Sequence, residues 1–237
     1  MQGARSWAGV IARIARRYRA LALDHRTHDF EGRLGEIEAA AESRAALVGY
    51  SLGGRLVLHA ALRAAPRAER YGAVVLLGAS AGIEDPVERS ERRARDERLA
   101  AWIEQEPVES VVDRWERTPA LAGQPAELVA AQRVDRLAHE PARLAELLRS
   151  AGQGALMPVW DRLAELRTPL LALAGDRDTS YIEAAERIAA LAPHGRARTI
   201  PHAGHAAHLE QPDAFAAVLL EFLDEHLGEG RLVDGDA

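Results

Sequence analysis

Apolar residues in this chain fall into short continuous runs, separated by longer stretches with helical spacing. Ala45-Ala46-Leu47-Val48, Ala73-Val74-Val75-Leu76-Leu77 and Leu170-Leu171-Ala172-Leu173-Ala174 read as strands, the longer two being typical of burial on both faces. Ala20-Leu21-Ala22-Leu23 and Ala197-Arg198-Thr199-Ile200 read as further strands. Helical patterns are predicted over 6–20, where Val10, Ile11 and Ile14 share a face, and over 31–42, 181–191 and 212–227. Another begins near Leu52 and stops at about Ala65, before Pro66. Strands alternating with helices imply an α/β fold with a doubly wound, mostly parallel sheet and active residues at the strands' C-terminal ends. Residues 86–150 break the alternation. They are rich in Glu and Arg, are interrupted by Pro107, Pro119, Pro125 and Pro141, and carry no strand pattern. The predicted division is therefore a core of 1–83 and 161–237 with a helical cap inserted at 84–160, and a tail that frays from Gly228.

Composition narrows the function classes. The 237 residues suffice for one sizeable core, and 48% hydrophobic with 28% charged residues is ordinary for a soluble globular protein. A net charge of −6 without a dominant basic stretch argues against a nucleic-acid partner. The absence of cysteine excludes disulfides and thiolate metal sites. No apolar run is long enough to span a bilayer and no signal-peptide pattern opens the chain, so a cytoplasmic enzyme is expected. No metal motif or phosphate-binding loop appears, so no cofactor is implied; the oligomeric state is not legible.

The chemistry concentrates at Gly49-Tyr50-Ser51-Leu52-Gly53, between the strand 45–48 and the following helix. Strand, G-x-S-x-G turn and helix together make a nucleophile elbow. Its tight turn strains Ser51, and Gly49 and Gly53 are expected to remove clashing side chains. The Leu52 N–H at the helix start would donate to a developing oxyanion. Two downstream signals complete the order Ser…Asp…His. Asp178, in Gly175-Asp176-Arg177-Asp178, follows a late strand; Asp176 is read as a turn or cap residue. His205, in Ala203-Gly204-His205, follows the last strand and can reach back to Ser51. His202 is read as a loop histidine, whereas His208 fits pocket lining and loop support equally.

Several segments together resemble one family. They are Gly49 to Arg55; Gly82-Ile83-Glu84-Asp85 with Glu88-Arg89, Arg92-Arg93 and Asp96-Glu97; Trp160-Asp161-Arg162-Leu163; and Ala203 to Pro212. They resemble the 2-succinyl-6-hydroxy-2,4-cyclohexadiene-1-carboxylate synthases, α/β-hydrolase-fold lyases of menaquinone biosynthesis, from about Ser6 to Leu227. The resemblance implies that Ser51, with His205 and Asp178, acts as a base that removes a ring proton, after which pyruvate is eliminated. Such chemistry suits a serine polarised by a His–Asp pair. It also implies a small polycarboxylate substrate, which needs fixed cations. Arg55 lies one helical turn after Ser51 and suits bidentate carboxylate binding. Arg92 and Arg133 resemble the family's other substrate-binding arginines, and Trp115 resembles a pocket-wall aromatic. A cap so rich in arginine also supplies solvated and surface-paired ones, and Trp115 could equally belong to the cap's own core.

The family pattern opens with a central strand ending in Leu-His-Gly-Phe, which this sequence lacks. That strand would lie between 20–23 and 45–48 and would supply one oxyanion donor. The expectation is that Met1 is an internal methionine taken as a start; the alternative is an inactive truncated product. Asp24-His25-Arg26-Thr27-His28-Asp29 also lacks two glycines of the family's turn. The competing function is a small carboxylester hydrolase using Ser51 as nucleophile.

Overall fold

The computed structural model describes residues 1–67, 70–121 and 123–228; the tail expected to fray beyond Gly228 lies outside them. The chain opens with a 3-10 turn, Ala4–Trp7, and helix α1, Ala8–Ile14. Helix α2, Phe30–Ala40, is capped by Asp29, whose carboxylate accepts from the Gly32 N–H. Then follow β1 Ala45–Tyr50, α3 Leu52–Ala64 and β2 Tyr71–Leu77. Four helices come next without a strand: α4 Pro86–Gln105, α5 Val108–Glu116, α6 Ala126–Leu137 and α7 Pro141–Ala151. After a 3-10 turn at Trp160–Glu165, the alternation resumes with β3 Leu170–Gly175, α8 Thr179–Leu191 and β4 Gly195–Ile200. Short α9, Ala207–Glu210, and α10, Pro212–Leu227, close the described chain.

The strands form one parallel sheet in the order β1-β2-β3-β4. Side chains alternate across it. Val74, Leu76, Leu170 and Ala172 join the apolar cluster with α2, α3 and α8, whereas Val75, Leu77, Leu171 and Leu173 join the cluster with α1 and α10. Because both faces are buried, β2 and β3 need apolar residues at every position, and that is why their runs were unbroken in the sequence.

The helix expected over 6–20 is shorter, and its regular part ends at Ile14. The strand expected at 20–23 does not form, and Leu21 is 72% exposed. A strand exists only by laddering to a neighbour about 4.8 Å away, and β1 ladders only to β2 among the described residues. Residues 20–23 therefore have no strand to pair with.

The helical insertion is tied down where it leaves and rejoins the core. Asp85 caps α4 by accepting from the Val87 and Glu88 N–H groups, and Pro86 sits where no amide donor is needed. At the return, Val159 N–H donates to Ala81 O and Trp160 Nε1–H donates to Gly82 O, both at 2.8 Å. Arg187 lies over the Trp160 ring at 4.1 Å and pairs with Glu84.

Candidate active site

Ser51 sits between β1 and α3 with φ 52° and ψ −111°, in the strained region that an elbow demands. Its N–H donates to Leu77 O at 2.8 Å, which holds the turn against β2. Gly49 is required, because a Cβ there would overlap the Gly53 carbonyl. The expectation for Gly53 needs correction: a Cβ at Gly53 meets nothing within 4 Å, whereas one at Gly54 would press on Ala79 Cβ at 2.5 Å. The second close approach is helix against the loop after β2, one residue beyond the motif. Leu52 opens α3, so its N–H is one of the four that a helix leaves without an internal partner.

The loops after β3 and β4 bring two more groups to Ser51. His205 Nε2 lies 3.1 Å from Ser51 Oγ, and His205 Nδ1 lies 2.7 Å from Asp178 Oδ2. His205 is buried. With Nδ1–H donating to Asp178, Nε2 is left as acceptor for the serine hydroxyl. Asp176 instead accepts from the His202 and Ala203 N–H groups at 2.8 and 3.1 Å. Those bonds pull its carboxyl below the usual range, so it is an anion that shapes the histidine loop. Glu210 adds to the same loop by accepting from Gly204 and Ala206 N–H.

Gly78, at the end of β2, escaped the sequence reading. It has φ +57°, and a Cβ there would come within 2.9 Å of His205 Cε1. The histidine ring occupies the space that this glycine leaves. His202 is exposed and acts through its backbone: its N–H donates to Asp176 and its carbonyl accepts from Arg177 and Gln211. His208 is fully buried between Trp7 and Tyr50, at ring separations of 4.5 and 4.6 Å, with neither ring nitrogen hydrogen-bonded. Burial, with the nearby His205, pushes it down to about 3, so it is a neutral packing ring behind the site.

The four expected substrate contacts differ in burial and in the partners they already have. Arg55 follows Ser51 by one turn, with its N–H bonded to Ser51 O at 3.1 Å. Its buried Nη1 has no hydrogen-bond partner, and burial lowers the guanidinium to about 10, still charged at neutral pH. Arg92 on α4 donates from Nε to Asp96 at 2.8 Å and from Nη1 to Gln153 Oε1 at 2.7 Å. Arg133 is already taken by Asp113 and Glu116, both at 2.6 Å, and is a third exposed. Trp115 on α5 is 37% exposed.

The cation that α6 turns inward is Arg136, one turn after Arg133. Its side chain is 0% exposed; Nη1 reaches Glu116 at 3.0 Å while Nε and Nη2 have no partner. It lies close enough to Tyr50, beside the serine, to oppose the upward push of burial on that phenol. Desolvating a guanidinium with two nitrogens unpaired is costly, and an anionic ligand would supply the missing acceptors. Leu128, Gln132 and Arg136 share one face of α6, and Gln132 Oε1 is also buried without a partner; the sequence did not single that face out, because Val129, Arg133 and Leu137 have the same spacing.

The sequence matches the alpha/beta hydrolase family over residues 2–218. The chain belongs to the alpha/beta hydrolase family. Among its members, a Bacillus subtilis protein named as a 2-succinyl-6-hydroxy-2,4-cyclohexadiene-1-carboxylate synthase is 34% identical over 180 residues, 75% of this chain. The alignment spans 65% of that relative's length. The solved structure of MenH from S. aureus superposes with a TM-score of 0.82 at 26% identity, covering 95% of this chain and 90% of that one. A hydrolase from Pseudomonas aeruginosa also superposes, with a TM-score of 0.74 at 26% identity over 93% of this chain and 85% of that one. Such a fold carries more than one chemistry, so the reaction has to be argued from the site. No helix among the described residues is long and apolar enough to cross a membrane.

Proposed function

We propose that this protein is a carbon–oxygen lyase of menaquinone biosynthesis. In this reading it eliminates pyruvate from a succinyl-enolpyruvyl-hydroxycyclohexene-carboxylate to give 2-succinyl-6-hydroxy-2,4-cyclohexadiene-1-carboxylate. The observation that carries it is a hydrogen-bonded Ser51–His205–Asp178 group in a chain that also buries guanidinium nitrogens without partners. Arg55 Nη1 and Arg136 Nε and Nη2 are desolvated and unpaired, as a site awaiting a polycarboxylate requires. An apolar ester would leave them unpaired.

The steps follow from the geometry. Ser51 passes its hydroxyl proton to His205 Nε2, 3.1 Å away, and Asp178 stabilises the resulting imidazolium. Ser51 Oγ then takes a proton from the ring carbon. The electron pair left behind forms the new ring double bond, the ring C–O bond breaks, and the leaving enolate takes the proton from the His205 imidazolium and departs as the enol of pyruvate, which restores neutral His205 and the Ser51 hydroxyl. Arg55, Arg92 and Arg136 hold the carboxylates, and the Leu52 N–H faces the charge that develops near Ser51. Arg133 and Trp115 play no direct part in this reading. A cytoplasmic location belongs to the same proposal.

The test is pyruvate release from the enolpyruvyl substrate above its spontaneous background. Wild type is expected to release pyruvate, and Ser51→Ala to fall by about 10⁴-fold or more, the scale of removing a triad serine. Absence of release from wild type would sink the lyase reading. The competing reading, a carboxylester hydrolase, has the elbow geometry in its favour and is supported if p-nitrophenyl esters turn over instead.

A further inference from the structure

Tyr181 lies in the first turn of α8, three residues after Asp178, and belongs to no part of the triad. Its ring packs on that of His205, with centroids 4.7 Å apart and planes at 45°. Its hydroxyl meets Gln153, in the loop after α7, with Gln153 Nε2 donating at 3.0 Å. Gln153 in turn accepts from Arg92 Nη1 at 2.7 Å, and Arg92 Nε is anchored on buried Asp96 at 2.8 Å.

The proton directions in this chain are forced. A guanidinium has only donors, so Gln153 must turn its oxygen to Arg92 and its NH₂ to Tyr181. The phenol oxygen therefore accepts, and its own O–H cannot point back at Gln153. Among the described residues no acceptor takes that proton. The hydroxyl is also near enough to Arg55 for the two to interact electrostatically. One side of the site thus holds two unused donors, Tyr181 O–H and Arg55 Nη1, beside the triad histidine.

We propose that Tyr181 is a substrate-binding donor: Gln153 and Arg92 aim its hydroxyl proton into the site, where it shares a substrate carboxylate with Arg55. The proposal rests on the polycarboxylate reading of the site. Gln153 is then a positioning residue, acting only through Tyr181 and Arg92. The pairing also links α8, which carries the triad acid, to the helical insertion, so a carboxylate on Tyr181 and Arg55 would be felt by both.

The test compares wild type, Tyr181→Phe, Gln153→Leu and the double variant by steady-state pyruvate release. In parallel, titration calorimetry follows binding of phthalate, an unreactive ring dicarboxylate. Tyr181→Phe is expected to raise KM by about tenfold, the size of one hydrogen bond to a charged group. Its kcat should stay within about twofold, since the ring still packs on His205. Phthalate affinity should fall by the same factor as KM rises. Gln153→Leu should show a smaller shift in the same direction, and the double variant should fall short of the product of the two single effects, because both act on the Tyr181 bond. Unchanged KM and phthalate affinity in Tyr181→Phe would overturn the proposal, as would a fall in kcat with KM unmoved, which would make Tyr181 a support for His205 alone. If wild type releases no pyruvate but binds phthalate in a Tyr181-dependent way, the lyase reading fails and this inference stands.

Discussion

The loops around Ser51 and the helical insertion above them hold their polar side chains by opposite means. Around Ser51, backbone geometry does the placing: a positive φ at Ser51, the space left by Gly78, and Asp176 accepting from two amides of the histidine loop. Each polar group there sits in a position that its neighbours over-determine. In the insertion, side chains are held mostly by each other. Arg149 spans Glu97 and Glu104, Arg143 meets Glu140, Arg95 meets Glu91, and Arg133 meets Asp113 and Glu116. Such exposed pairs contribute little each, about 0–1 kcal/mol, and exchange readily for water. Against that background Arg136 stands out because it is buried and only partly paired, and Arg92 because it is fixed by buried Asp96. The contrast teaches that abundance of arginine says nothing about binding; desolvation with missing partners does.

Adding one methyl group tests the first half of this comparison most severely. Gly78→Ala would place a Cβ against the His205 ring and force a side chain onto φ +57°. Pyruvate release is expected to fall by about a hundredfold, the cost of shifting a catalytic group by roughly an ångström. Near-normal turnover would show that the histidine tolerates displacement and that the backbone does not over-determine it.

The second half is tested by two arginines on one helix. Arg136→Met is expected to raise KM by about tenfold to a hundredfold, as loss of a charge-assisted bond to a substrate carboxylate would. Arg133→Met is expected to leave KM within about twofold and to change stability little in urea unfolding. Reversal of that order would mean that the surface pair opens to bind substrate while the buried guanidinium is structural.

A smaller effect concerns His208, the neutral ring behind the site. Its folded value of about 3 lies below the ordinary histidine value of the unfolded chain. Between those values the unfolded chain binds the proton and the folded protein does not, so stability falls as pH drops below about 6.5. At most this costs about 1.4 kcal/mol per pH unit. His208→Phe keeps an aromatic ring between Trp7 and Tyr50 and removes two unpaired nitrogens. Urea unfolding at pH 7 and pH 5 should show the variant losing about 2 kcal/mol less than wild type over that interval. Equal losses would show that water reaches the ring.

Much of this was legible from residue order. The runs at 73–77 and 170–174 announced strands buried on both faces, because a doubly covered sheet leaves no polar positions to disguise them. Helix α10 matched its predicted span, 212–227, because Pro212 marks its start and the apolar spacing carries its length. The G-x-S-x-G turn and the order Ser51, Asp178, His205 are local signals, and they pointed to residues that the fold brings within hydrogen-bond reach. Residues 20–23 misled, since an apolar run states a capacity to form a strand and not the presence of a neighbour. That Arg136 is the desolvated arginine of α6 was not legible for a related reason. Arg133 and Arg136 sit on α6 one turn apart, and which one faces inward depends on the angle at which that helix packs.

The sequence by itself determined the strands buried on both faces, the family and the strained turn at Ser51, because each rests on residues adjacent in the chain. The tertiary structure alone decided that Gly54 rather than Gly53 makes the close approach, that Gly78 makes room for His205, and that Arg136 is desolvated while Arg133 is paired. It also decided that the Tyr181 hydroxyl accepts from Gln153. These depend on contacts between residues far apart in sequence, where distance and direction, not residue type, set the energy.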